Sequence, residues 1–220
     1  MAWERRMVTL DKLQELAAAA TTEIGEGLSE SDVALISLGV SASVTSLDRA
    51  AIEGAVARAF DAGATPAQVQ EILSLVSGLG VHTLMAASAP VVACARAAGF
   101  EIDETLSDEQ AQLWEKYVGD DPFWVGFEQE LPGFLKSMLL LSTDQFKAFF
   151  NYCAVPWKSG QVRAKIKELT AMACDATPAH RFLPGFRLHL ANAVALGAGR
   201  RALDEVMAIA SRAPVHNGTD

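Results

Sequence analysis

KIKELTAMACDATPAHRFLPGFRLH, residues 165–189, is the stretch on which the reading of the chain turns. It opens on an apolar-periodic run, Ile166, Leu169, Met172 and Ala173, with Glu168 inside it; that spacing reads as a helix. Thr177-Pro178 reads as a helix-start signal just before His180. Past a turn at Pro184-Gly185, Phe186, His189, Leu190 and Ala193 recur at helical spacing, which sets His189 on an apolar face. A carboxylate and two imidazoles held where water is scarce have shifted pKa values and can exchange protons with a substrate. A Glu–His pair that only satisfies itself inside a helical core leaves the same trace. Both readings stand at this point.

The flanking sequence is helical throughout. Leu10, Leu13, Leu16 and Ala17 mark an amphipathic helix within residues 9–22. Ser29 and Asp32 bracket a helix start before the nearly all-apolar run Val33–Val44, a central helix. Further helices are expected from Ser46 to a capping Gly63, from Thr65-Pro66-Ala67-Gln68 to the break at Gly78 and Gly80, and from His82 to Ala98. Residues 99–106 read as a linker. Ser107, Asp121-Pro122, Pro132 and Ser142-Thr143-Asp144 each announce another helix, and Val155–Gly160 reads as a turn anchored by a buried Trp157. No run alternates with a period of two, so the fold class is all-α, a helical bundle.

Composition removes several functions. The formal charge of −9 over 220 residues, with scattered cations, leaves no phosphate-binding face for nucleic acid. Apolar runs such as Met138–Leu141 are too short to span a membrane. The start, MAWERRMVTLDKL, does not read as a signal peptide. Cys94, Cys153 and Cys174 form no CxxC pair and read as buried thiols of a cytoplasmic protein. The sequon at Asn217-Gly218-Thr219 has no secretory context.

The chain also repeats itself. Residues 34–82 lie over residues 168–216 without a gap, and about ten of about fifty pairs are identical. Gly63-Ala64 falls on Gly197-Ala198, Glu71 on Glu205, Ser77 on Ser211, and Val81-His82 on Val215-His216. The differences fall on the candidate site: Glu168, His180 and His189 face Ala34, Ser46 and Ala55. The first copy, in residues 1–100, reads as scaffold, and the second, in residues 107–220, carries the chemistry. The second copy lacks a counterpart of the 82–98 helix. The apolar groove this leaves needs either the N-terminal helix or a neighbouring subunit, and a homo-oligomer (dimer, trimer or hexamer) is expected.

The IKELTAMA helix, the RLHLANAVALGAG helix, the VMAIAS run, FDAGATPAQVQEIL in the first copy and the lead-in PGFL…FKAFFNYCAVPWKSG resemble the carboxymuconolactone decarboxylase and alkylhydroperoxidase D-like superfamily. The resemblance covers most of the chain, as two tandem units. It implies that Glu168 and His189 are the family's glutamate and histidine. The CxxC positions of the peroxidase branch fall near Phe182 and Gly185, which argues against thiol peroxidase chemistry and for the cofactor-free decarboxylase branch. The interval from Glu168 to His189 is longer than the family's and contains His180.

The expected function is therefore a cofactor-independent lyase or isomerase acting on a small cyclic or unsaturated carboxylate, lactone or enone. Glu168, His180 and His189 are its candidate catalytic residues, and no metal is expected because no HExxH-like spacing is present. Arg187, His82 and Trp157 are candidate substrate contacts, although His82 and His216 recur at equivalent places and also fit a shared packing role. The alternative is a non-catalytic helical oligomer or ligand-binding protein whose Glu–His pair is structural.

Overall fold

The computed structural model describes residues 7–216. The Asn217 sequon and the first six residues lie outside them. The described chain is helical: α1 (Leu10–Ala19), α2 (Glu30–Ala42), α3 (Arg49–Asp61), α4 (Pro66–Ser77), a 3-10 turn (Gly78–Val81), α5 (His82–Ala97), α6 (Asp108–Tyr117), α7 (Pro122–Glu130), α8 (Phe134–Leu141), α9 (Thr143–Cys153), α10 (Val155–Ser159), α11 (Ala164–Ala176), α12 (Leu183–Ala195) and α13 (Arg200–Ser211). The caps explain most of the starts. Ser29 and Asp32 close a reciprocal capping box at α2, as Ser107 and Gln110 do at α6. Thr65 and Gln68 exchange the same two hydrogen bonds at α4 (3.2 and 2.8 Å).

Two compact units form. The first is assembled from both parts of the sequence, the chain up to Ser77 and from Pro156 on; the second is Gly78–Val155. This division differs from the 1–100 and 107–220 boundaries drawn along the repeat. The reason is packing: α2 and α4 bury their apolar faces against α11, and α13 packs on α2, so helices from the two ends of the chain share one core.

In the first unit α2 and α11 are the central helices. Ile166 to Ala176 of α11 are buried without interruption, and α2 buries Leu35, Ile36, Leu38 and Val40. Gly39 lets them approach closely, for a Cβ there would meet the Thr170 Cγ2 methyl at 2.4 Å. The N-terminal helix α1 packs on α13 and α12 with Leu13 and Ala17 buried. Arg200 and Arg201 donate backbone N–H groups to Glu23 and Ile24 carbonyls (2.8 and 3.0 Å). The N-terminal helix thus lies against the last two helices of the chain.

The second unit holds an aromatic core. Phe127, Phe134, Phe146, Phe149 and Phe150 are buried, and ring pairs such as Phe134–Phe149 (5.5 Å, edge-to-face) join α8 to α9.

Four local readings need correction. Of the three thiols read as buried, Cys94 is exposed and Cys153 is half-buried. Val155–Ser159 forms a short helix rather than a turn, and Trp157 is 40 % exposed rather than buried. Thr177-Pro178 ends α11 instead of starting a helix: the residue before proline is driven extended (Thr177 φ −57°, ψ 147°). Pro184 and Gly185 are no turn but lie in the first turn of α12, where proline has no N–H bond to lose. The longest apolar stretch is Pro66–Ala97, which by length and composition alone could cross a membrane. It is divided by the 3-10 turn, and α4 turns Val69, Ile72, Leu75 and Val76 into its own unit's core.

Candidate active site

α11 and α12 form the most closely packed helix pair of the first unit, joined by the connection 177–182. Glu168 and Asp175 are two helical turns apart on α11, so both face α12. His189 Nδ1 meets Glu168 Oε2 at 2.6 Å, and Asn192 Nδ2 donates to Glu168 Oε1 at 3.2 Å. Both Glu168 oxygens are thus engaged by one face of α12. His189 Nε2 lies 4.0 Å from Asp175 Oδ2, and His180 Nε2 lies 3.7 Å from Asp175 Oδ1. The His180 ring stacks on Phe182 (centroids 5.6 Å).

Exposure is graded across this cluster. The Glu168 and Asp175 side chains are 7 % and 1 % exposed, whereas His189 is 24 % exposed. The carboxylates are sealed behind an imidazole that reaches the surface. Asp175 finds room because residue 185 is glycine: a Cβ there would sit 2.3 Å from Asp175 Oδ2.

The charges follow from this packing. Burial pushes the Asp175 carboxyl up to about 7, and the nearby His189 offsets only part of that. Burial alone would lower the His189 imidazole, but the Glu168 hydrogen bond and the charges of Glu168 and Asp175 outweigh it and raise its pKa. Partial burial lowers the pKa of His180. One imidazole therefore favours its charged form and the other its neutral form, the division that general acid and general base require.

Of the candidates read from sequence, Glu168 and His189 are in direct contact, and His180 joins them through Asp175. Arg187 is exposed on α12, off the buried face. Trp157 lies over the Lys167 ammonium at 5.2 Å. His82 opens α5 in the other compact unit, and His216 lies exposed past the end of α13. Asp175 and Asn192 were missed. A charge in an otherwise apolar run, seven residues after Glu168, and an amide three residues after His189 were the available signals.

A second buried polar group holds α11 in place. Lys167 Nζ donates to Glu71 Oε1 and to the Pro156 carbonyl (both 2.8 Å). Glu71 also accepts N–H bonds from Gln161 (2.9 Å) and Val162 (3.1 Å) just before the helix.

No protein-family model and no curated protein matches the chain. The chain is similar to the solved structure of a protein from Burkholderia xenovorans provisionally named a gamma-carboxymuconolactone decarboxylase subunit, at 29% sequence identity and a TM-score of 0.71, over 84% of this chain and 72% of that one. The fold is that of a carboxymuconolactone decarboxylase-like helical protein, and the likeness supports the superfamily to which the Glu168 and His189 helices point.

Proposed function

We propose that this chain is a cofactor-independent acid/base enzyme, a lyase or isomerase acting on a small carboxylate, lactone or enone. One observation carries the reading: a 2.6 Å Glu168–His189 contact in which the carboxylate is sealed and the imidazole is a quarter exposed. A pair serving the core alone has no need to show its imidazole to solvent, while an acid/base catalyst must. His180, with its lowered pKa, takes a proton from a carbon next to the substrate carbonyl. His189, charged with the help of Glu168 and Asp175, gives one back. Arg187, exposed two residues before His189, lies off the His189 face of α12, so no substrate contact is assigned to it.

Thiol peroxidase chemistry is no part of this proposal. Phe182 and Gly185 stand where the resemblance places CxxC. Burial pushes the Cys153 thiol up to about 11, and burial and the Asp175 charge raise Cys174 further; the reactive form of a thiol is the thiolate. Hydroperoxide reduction abolished by Cys174→Ser would overturn this exclusion.

We also propose that α2–α4 and α11–α13 descend from one tandem duplication. Shifting the bounds of α2, α3 and α4 by 134 positions gives those of α11, α12 and α13. The left-handed residues recur at the same offset: Leu47 and Arg181 (φ 36° and 48°), Gly63 and Gly197 (φ 85° and 84°). Self-association remains part of the proposal, supported by Val91 and Phe100, exposed at and just after α5; light scattering showing a stable monomer would remove it.

Proton transfer can be tested before the substrate is known. The protein is incubated in D2O with a panel of small lactones, enones and unsaturated carboxylates, and deuterium uptake is read by mass spectrometry. Catalysed exchange should fall by about two to four powers of ten in His189→Asn, with little change in melting temperature. Exchange that is indifferent to this substitution would contradict the assignment of the site.

A further inference from the structure

The second compact unit holds a cavity of about 360 Å³ that has no part in the acid/base site. Trp114 and Val118 of α6, Trp124 and Glu128 of α7 and Leu135 of α8 line it, with Asp121 at the turn between the first two helices. Val118 and Leu135 are buried and give it an aliphatic floor. Trp124 is fixed from behind by edge contacts with Phe123 (4.7 Å), Phe127 (5.3 Å) and Phe150 (4.9 Å). The walls are therefore two indoles, of which one is rigidly held.

The charged groups of this cavity carry a single sign. Glu128 Oε1 accepts the Gly133 N–H that precedes α8, while its Oε2 is buried with no hydrogen-bond partner. Asp121 accepts the Phe123 N–H through Oδ1 (2.9 Å). No lysine, arginine or histidine is among the lining residues. The surroundings reinforce the field. Residues 78–155 carry eleven carboxylates against four lysine or arginine side chains, a formal −7 of the chain's −9. Lys116, the one cation in residues 115–130, lies over the Tyr117 ring at 4.8 Å. A buried carboxylate oxygen without a partner is costly, and a cation in the adjoining cavity would offset that cost.

We propose that this cavity binds a small organic cation, an ammonium group on an apolar body. Indole faces attract ammonium through the ring quadrupole, most strongly where water is excluded. A hard metal ion needs several converging oxygens, which a floor of valine and leucine does not supply. An anion would meet Glu128 and Asp121, and a neutral apolar guest would leave the Glu128 charge unanswered. The volume is that of an ordinary small-molecule site.

The test uses the full chain with two probes of equal size, 2-phenylethylammonium and 2-phenylethanol, followed by calorimetry and tryptophan fluorescence. The ammonium should saturate with a Kd at least about tenfold below that of the alcohol. Glu128→Gln keeps the acceptor for Gly133 and removes the charge, so it should bring the two affinities together while the melting temperature holds. Trp124→Leu should weaken ammonium binding; if that variant does not fold, Trp114→Phe replaces it with the same expectation. Phe60→Leu, on the exposed side of α3 and outside the cavity, should leave ammonium binding unchanged. The proposal is overturned by equal affinity for the two probes, by ammonium binding that survives Glu128→Gln unchanged, or by the absence of saturation with either probe.

Discussion

The corner between α2 and α3 and the corner between α11 and α12 are built on one backbone plan and filled with opposite chemistry. Both helices of each pair have matching lengths, and both connections make the same turn: Asp48 N–H bonds the Ser41 carbonyl as Phe182 N–H bonds the Asp175 carbonyl. In the first corner the positions at the 134-residue offset are Ala34, Ser41, Ser46, Ala55 and Arg58. The first four are buried. In the second they are Glu168, Asp175, His180, His189 and Asn192, and His189 opens to solvent. The first corner acts as an internal control: this turn and this helix pair form with no carboxylate or imidazole at these five positions. The polar set of the second corner is therefore not needed to make the frame.

The largest expected effect lies where the two copies differ in support rather than in the site. Glu71 of α4 holds the N–H groups before α11, and Glu205 of α13 holds Leu28 N–H before α2 at 2.7 Å. Lys167 adds a buried ion pair to the first arrangement only. Burial alone would raise the Glu71 carboxyl, yet the Lys167 and backbone hydrogen bonds bring its pKa below the usual value. Lys167→Ala strands that carboxylate and should cost about 3–5 kcal/mol in denaturant unfolding. Glu205→Ala removes one backbone partner and should cost about 1 kcal/mol. Equal losses would mean that the two supports are alike.

Position 185 sharpens the comparison further. The second corner pairs Gly185 with Asp175, and the first pairs Ala51 with Ser41. Gly185→Ala drives a Cβ into Asp175 and Phe182 and should destabilise by about 2–3 kcal/mol. Adding Asp175→Ser recreates the first corner's combination and should recover about 1–2 kcal/mol of it, a coupling a double-mutant cycle reads directly. Strict additivity would show that the two positions do not compete for space.

The pH dependence of stability is expected to separate the corners next. Asp175 keeps its proton up to about pH 7 when folded, against an ordinary carboxyl value of 3.8. The folded form binds the extra proton in that interval, so the stability it brings is full below 3.8 and is lost as pH rises through 7. His189, raised, acts in the same sense: its contribution is full below 6.5 and is lost as pH rises through its folded value. His180, lowered, opposes them, its part being lost as pH falls through its own folded value. Relative to Asp175→Asn, the native chain should lose on the order of 2 kcal/mol between pH 5 and 8. A difference that is flat with pH would show that Asp175 is charged throughout.

Much of this frame was legible because its signals are local. Capping at Ser29, Thr65 and Ser107, glycine at 63 and 197, and apolar periodicity need only neighbours in sequence. Glu168 and His189 were legible for a related reason, as polar residues on otherwise apolar helical faces. What escaped depends on distant partners. Asp175 looks like a helix-end charge until the glycine ten residues on is seen to make room for it. Thr177-Pro178 carries a start signal, but the extended backbone before proline ends one helix without beginning another. Trp157 reads as an anchor, yet its ring covers Lys167 at the surface. The compact units were hidden because α2 and α4 find their partners in α11, more than 90 residues along the chain.

The most direct measurement is the unfolding free energy of the double variant Glu168→Ala/His189→Ala at neutral pH. It places in the second corner the residues that Ala34 and Ala55 supply in the first. If the polar pair serves chemistry and the frame stands without it, the double variant should lie within about 1 kcal/mol of the native chain, because removing both partners strands neither charge. A loss of about 3–5 kcal/mol would contradict this and mark Glu168–His189 as a structural pair.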